Sequence, residues 1–355
     1  MKRFQFALIL LLFISSHSLV AQAQKKQSTK PKKESLLDVL VTQQLPKVAL
    51  EMDLKMLFDD RRMMNYQPAV ATITFDDGEV WTDNIQLKTR GKYRSQKCDN
   101  PPLKLKYKKK VLKARNLNKN NEFKLVYPCK LGNNFQKYVL KEYLVYKLNN
   151  VLTDQSLRVQ LIDLEIKDSL DNLAPIAAKG FLIEHREELI HRLGAEMNDM
   201  RCLKPVHLSN YDYTLFQVFQ YFIGNTDWLL PGCKNCEIID FEDGTMIPIA
   251  YDFDFSGMVS TNYAVPNSSL PVRTITDRYF LGHNKKMEEL APVLALFQAK
   301  KAELIKTVED FDYLPKGERK RMVKYMESFY KVLSKPKLVK KAFIHPMGES
   351  MREDY

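Results

Sequence analysis

The stretch that decides the reading begins at Gly224-Asn225-Thr226-Asp227-Trp228 and runs through Cys233-Lys234-Asn235 to a strand pattern over 237–241. A turn at Glu242-Asp243-Gly244 leads to a second strand pattern over 246–251, then Asp252-Phe253-Asp254-Phe255-Ser256-Gly257. Two strand patterns joined by a Gly-containing turn predict a tight hairpin. A hairpin returns the chain to its starting point, so Asp227 and Asn235 before it are expected beside Asp252 and Asp254 after it. Carboxylates gathered in one place repel each other unless a cation joins them. Oxygen-only donors of this kind suit a hard ion, Mg²⁺ or Mn²⁺.

Upstream, Ser209 and Asp212 make a capping box for a helix over 209–223, and Gly224 closes it. Further back the period changes to two. Residues 69–75, the turn Asp76-Asp77-Gly78 and residues 80–88 predict a hairpin, and 103–107 and 122–127 predict two more strands. The lysine-rich run from Lys104 to Arg115 reads as the polar face and tip of a hairpin. Residues 135–150 switch to helical spacing, with Leu140, Leu144 and Leu148 in one stripe. Glu142 shares a face with Val139 and Tyr146, where a carboxylate either wants a cation or simply lies at the border of the stripe. Strands follow near 158–166 and 179–183, and helices over 286–311 and 316–334 complete the chain. The fold class expected is α+β: an antiparallel-sheet lobe with one helix, then a mainly helical lobe.

The chain has 355 residues, 45% hydrophobic and 28% charged, which excludes a disordered polymer, a fibre and a small disulfide knot. Twelve glycines beside 19 Phe and 17 Tyr argue against the common Gly-rich nucleotide loops. A net charge of +12 favours anionic partners. Lys2-Arg3, an apolar run over 4–14 and Ala21-Gln22-Ala23 have the form of a cleaved signal peptide over 1–23, so an exported protein is expected, in the periplasm, at the cell surface or secreted. A retained N-terminal anchor is the alternative, and no later stretch is apolar enough to cross a membrane. A lysine-rich linker over 24–45 reads as a spacer, with weak contact to an anionic surface as the second reading. The sheet-rich lobe is set at 46–184, the helical lobe at 185–335 and a basic tail at 336–355. In an oxidising setting the five cysteines favour structural disulfides over a thioredoxin-type redox role, since no βαβ context surrounds Cys233. Cys98 and Cys129 flank strand-like segments and are expected to pair; Cys233–Cys236 is a weaker candidate, with Cys202 able to compete.

Asp, then Asn, then a hairpin, then Asp-Phe-x is the order of parts in a protein-kinase-like phosphotransfer site. Residues 224–228, 251–257 and Tyr263-Ala264-x-Pro266 resemble the CotH kinase-like family. Leu87-Lys88-Thr89-Arg90-Gly91-x-x-Arg94 is similar to that family's Arg-Gly strand, residues 102–107 to its lysine-bearing strand, and Gly180–Glu184 to the strand entering the interlobe hinge. The resemblance spans roughly residues 85–270. It implies a two-lobed atypical protein-kinase-like fold that uses ATP and Mg²⁺ or Mn²⁺ to phosphorylate Ser or Thr. Carried over, Asp227 is the catalytic carboxylate, Asn235 and Asp252 are the metal ligands, and Asp254 supports them. Glu142 pairs an ATP-contacting lysine, either Lys106 or Lys124, and Glu184 lies at the nucleotide hinge. Lys234 stands where many members carry His.

The function expected is ATP-dependent phosphorylation of Ser/Thr on envelope or secreted proteins. The alternative is a catalytically silent relative that binds an envelope partner. Nucleic acid is not an expected partner, because no aromatic platform accompanies the lysines.

Overall fold

Apolar residues alternate with polar ones along three strands, β1 (Lys47–Met52), β2 (Gln67–Thr74) and β3 (Val80–Thr89). Val48, Leu50, Ala69, Ala71, Ile73, Ile85 and Leu87 all point to one buried side. β4 (Leu103–Lys106) and β5 (Glu122–Val126) add Leu103, Leu105, Phe123 and Leu125 to it. In the computed structural model, which describes residues 33–91, 94–198, 204–282 and 285–344, these strands do not form an open sheet. With β6 (Val159–Asp168) and β7 (Ile176–Ile183) they close a barrel in the order β1-β2-β3-β4-β5-β7-β6. All its pairs are antiparallel except the closing one, β1 with β6, which runs parallel from Lys47↔Asp163 to Met52↔Asp168.

This corrects the two-lobed kinase-like fold expected from the sequence. A barrel closed by a parallel pair, with a separate small sheet and eleven α-helices among the described residues, is a different architecture. The cause is a pairing between segments distant in sequence, which local alternation does not encode. The described residues from Glu34 onward form one compact unit. The 1–23 leader, the linker up to residue 32, Cys202 and residues 345–355 of the tail lie outside the described residues.

The barrel is plugged and flanked by short helices: α1 (Leu36–Val41), α2 (Leu54–Asp59), α3 (Arg94–Lys97) and α4 (Lys109–Ala114). α1 lies within the stretch read as linker, and a capping box between Ser35 and Asp38 starts it. α4 occupies the lysine-rich stretch read as a hairpin tip. The long helix α5 (Asn133–Leu152) covers the outside of β6 and β7. Those strands are therefore buried on both faces: Ile162, Leu164 and Leu182 enter the barrel core, while Val159, Leu161, Phe181 and Ile183 join a second core under α5.

That second core continues through α6 (Arg186–Leu193), α7 (Asn210–Ile223), α8 (Met287–Ala299), α9 (Lys301–Glu309), α10 (Lys316–Leu333) and α11 (Pro336–Phe343). The single helix expected over 286–311 is two, broken at Lys300. A small sheet of β8 (Glu196–Asn198), β9 (Cys236–Asp240) and β10 (Met246–Ala250) carries the expected hairpin, with β9 and β10 antiparallel. Among the described residues no helix is long and apolar enough to cross a membrane.

Candidate functional site

Helix α7 is capped by Ser209, whose hydroxyl accepts from the Asp212 amide, and ends at Gly224 in the left-handed conformation (φ 66°). A Cβ at Gly224 would stand 2.0 Å from the Tyr325 hydroxyl, so that position has neither the space nor the backbone for another residue. Beyond it, buried Asn225 organises the loop. Its Oδ1 accepts from the Asp227 amide (2.9 Å) and its Nδ2 donates to Gln220 Oε1 (2.9 Å). The returning chain closes on the same place, because the Gly257 and Met258 amides donate to the Gly224 and Ile223 carbonyls (both 2.9 Å).

The hairpin brings its ends together. Cys236 pairs with Ala250, and the Tyr251 amide donates to the Asn235 carbonyl (3.2 Å), so Asn235 lies alongside the residue preceding Asp252. Asn235 Nδ2 in turn donates to Asp227, to its carbonyl at 2.6 Å and its Oδ2 at 3.0 Å. Lys234 forms an ion pair with Asp227 Oδ1. Both carboxylate oxygens of Asp227 are thus engaged within its own loop. Cys233, Asn235 and Asp252 all adopt positive φ (54°, 54° and 63°) without being glycine. Such backbone costs on the order of 1–3 kcal/mol per residue and collects at functional sites.

Past the hairpin, Phe253 is locked into the core against Tyr146 and Phe219, which turns Asp252 and Asp254 away from it. The Asp252 amide donates to the Tyr146 hydroxyl (3.0 Å) on α5. Asp254 is buried, accepts from the Tyr263 hydroxyl (3.1 Å), lies 3.7 Å from Arg94 and is close enough to Asp252 to feel its charge. Burial first, then the charge of Asp252, pushes the Asp254 carboxyl up to about 7 against the opposing pull of Arg94. Glu142, buried on the same side of α5, is pushed up to about 8 by burial and by Asp254 and Asp252, while Arg94 and Arg90 oppose the rise. Its cations are therefore two arginines.

Those arginines come from the end of β3 and the start of α3. The Arg90 amide donates to the Pro102 carbonyl (2.9 Å). Cys98, which follows α3, is joined to Cys129 in a disulfide, and the Asn100 amide donates to the Cys129 carbonyl (2.9 Å). The cross-link thereby ties the Arg94 segment to the chain leaving β5. Among the described residues the Nε atoms of Arg90 and Arg94 are buried without a hydrogen-bond partner. Donors of this kind, facing carboxylates but not saturated by them, suit an incoming oxyanion.

The remaining sequence candidates are dispersed. Lys124 lies near this cluster, over the Tyr251 ring (4.9 Å); burial holds its ammonium below the ordinary value, opposed by Glu237 and, more weakly, by Asp252. Lys106 points from the barrel wall to Glu122 (3.2 Å) and over Tyr66 (5.0 Å). Glu184, fully buried, accepts from Arg158 and Arg192 (each 2.9 Å) at the end of β7. Arg90, Arg94 and Tyr263 belong to the quoted motifs, but the sequence reading gave them no role. An Arg-Gly pair closing a strand was the available signal.

Among the described residues no three His, Cys, Asp or Glu side chains form a group that could hold a metal ion. Asp252 and Asp254 are a pair of neighbouring carboxylates, and Mg²⁺ binds through one or two carboxylates where water and phosphate oxygens complete its shell. Asn235 Nδ2 is occupied with Asp227. No protein-family model matches this chain, and no curated protein matches it.

Proposed function

We propose that the cluster of Arg90, Arg94, Glu142, Asp252 and Asp254 is a phosphoryl-transfer site of the kind the CotH resemblance implies. The chain would pass the terminal phosphoryl group of ATP to a Ser or Thr hydroxyl on an envelope or secreted protein. One observation carries this reading. Five ionisable side chains from three distant stretches meet without saturating one another, and what each side leaves over, buried guanidinium donors and crowded carboxyl groups, matches a phosphate and a divalent cation.

In this reading Asp252 and Asp254 would hold Mg²⁺ or Mn²⁺, which would supply charge neutralisation at the phosphate oxygens. Arg90 and Arg94 donate to the remaining phosphate oxygens, with Lys124 adding charge from β5. Glu142 keeps the two guanidinium groups aimed at the site. Asp227 orients the acceptor hydroxyl and takes its proton, which requires Lys234 to leave Oδ1. At 56% side-chain exposure, Lys234 is placed to make that movement.

Binding without transfer is the second reading, favoured by the engagement of both Asp227 oxygens. Phosphate incorporation into the protein itself or a generic Ser/Thr substrate, with ATP and Mn²⁺, separates the two. Wild type is expected to transfer, and Asp227→Asn to lose about 10²- to 10⁴-fold in rate while still binding nucleotide. Nucleotide binding with no transfer by wild type establishes the second reading. An Asp227→Asn variant as active as wild type removes Asp227 from the chemistry.

A further inference from the structure

The chain between Trp228 and β9 makes a tight turn that neither the barrel nor the acidic cluster explains. Leu229 and Lys234 bond to each other in both directions (3.1 and 2.9 Å), and the Cys233 amide donates to the Leu230 carbonyl (3.1 Å). Within the turn Gly232 and Cys233 both take positive φ, 78° and 54°. The turn sets Cys233 close to Cys236, whose thiol feels that of Cys233. Cys236, the first residue of β9, is completely buried, and its Sγ also contacts the Leu229 carbonyl (3.5 Å). Cys233 is partly exposed. The same chain carries Cys98–Cys129 as a disulfide, whereas this pair stands as thiols.

We propose that Cys233 and Cys236 form a thiol–disulfide exchange site that takes an external disulfide as its oxidant. The accessible Cys233 thiolate attacks one sulfur of the external disulfide, forming a mixed disulfide and expelling the other sulfur as a thiolate. Cys236 then gives up its proton and attacks Cys233 Sγ; the Cys233–Cys236 bond forms as the second external thiolate leaves. Two electrons and two protons pass from the pair, and the external disulfide ends as two thiols. The neighbouring Cys233, together with burial, holds the Cys236 thiol well above the ordinary range, so it stays protonated until Cys233 is engaged.

The two residues enclosed by the pair are Lys234 and Asn235, and both grip Asp227. Bond formation draws the sulfurs to about 2 Å, and the turn must shift with them. Oxidation therefore releases Lys234 from Asp227, a consequence that rests on the phosphoryl-transfer reading only for its effect on activity.

The test uses the full chain equilibrated in buffers of graded oxidised and reduced glutathione, acid-quenched, alkylated and mapped by mass. Cys233 and Cys236 are expected to pass together from two alkylated thiols to one intramolecular disulfide, over ratios at which Cys98–Cys129 stays oxidised. Cys236→Ser should retain one glutathione on Cys233, and Cys233→Ser should retain none on Cys236. Thiols that remain alkylated at every ratio, a bond as resistant as Cys98–Cys129, or pairing of either residue with Cys202 would overturn the proposal. Hydrogen exchange read on the same samples should quicken at the Lys234 amide on oxidation; an unchanged rate would remove the link to Asp227. Exchange that behaves as expected in a protein without phosphotransfer defeats the functional reading alone.

Discussion

Two buried acid–arginine clusters flank the barrel, and they are built to opposite rules. At the end of β7, Glu184 is saturated: Arg158 and Arg192 both reach it, Arg158 continues to Asp38 (2.8 Å) and Glu188 (2.9 Å), and Arg192 also donates to the Ser156 carbonyl (2.8 Å). One oxygen, Glu188 Oε2, is its exception. At the mouth of the hairpin, Glu142, Asp252 and Asp254 face Arg90 and Arg94, yet the Nε atoms of both arginines are buried without partners, and burial pushes Asp254 up to about 7 and Glu142 up to about 8. Buried polar groups are normally satisfied. A cluster that closes on itself serves the fold; one that leaves complementary surpluses is shaped for something that arrives later.

The comparison breaks first at Glu184. Glu184→Ala removes the fully buried carboxylate that Arg158 and Arg192 share, and is expected to cost about 3 kcal/mol in denaturant unfolding. Glu142→Gln replaces a carboxyl already favoured in its neutral form and should cost about 1 kcal/mol or less at pH 7. If Glu142→Gln proves the more destabilising, the roles of the two clusters are reversed.

pH sharpens it further. Asp254 is raised from 3.8 to about 7 and Glu142 from 4.5 to about 8, so the folded state holds protons that the unfolded chain has released. The resulting stabilisation is complete below the unfolded values and is lost as pH rises through 7–8. Between pH 6 and 8.5 the wild-type protein should lose on the order of 1–3 kcal/mol. Glu188, raised to about 7, falls in the same window, so the difference between wild type and Asp254→Asn reports the cluster. Glu122 is lowered to about 2 and acts only in acid: its stabilisation is present above 4.5 and lost as pH falls through 2. Thermal melting should show a shallower slope for Asp254→Asn; parallel slopes would mean Asp254 does not hold the proton.

A smaller effect is expected at Arg94. Arg94→Gln keeps much of the side-chain volume, loses a 3.7 Å ion pair and should change stability by about 1 kcal/mol. Its effect on ATP affinity should be larger, at least tenfold. An Arg94→Gln variant that unfolds easily but binds ATP normally would place Arg94 with the saturated cluster.

Much of this was legible where the signals are local. The β2–β3 hairpin follows from alternation around Asp76-Asp77-Gly78, and α7 from the Ser209 cap and Gly224. The gathering of Asn235 beside Tyr251 follows from hairpin geometry alone. Barrel closure was not legible, because Lys47–Met52 is short and its partner Val159–Asp168 lies far along the chain. The cations beside Glu142 were equally hidden. Nothing near Arg90 says that the end of β3 turns toward 252–254, and lysines on adjacent strands looked like nearer partners. Lys300 breaks a helix whose apolar period runs straight through it.

The central claim is that the hairpin-mouth cluster receives a divalent cation together with phosphate. Calorimetric titration of ATP at fixed Mn²⁺, with wild type and Asp252→Ala at equal protein and metal, tests it most directly. Wild type is expected to bind saturably and Asp252→Ala not detectably, with a melting temperature for the unliganded variant at or above that of wild type, since one carboxylate has left a crowded site. Equal affinities for the two proteins, or no binding to wild type, would contradict it.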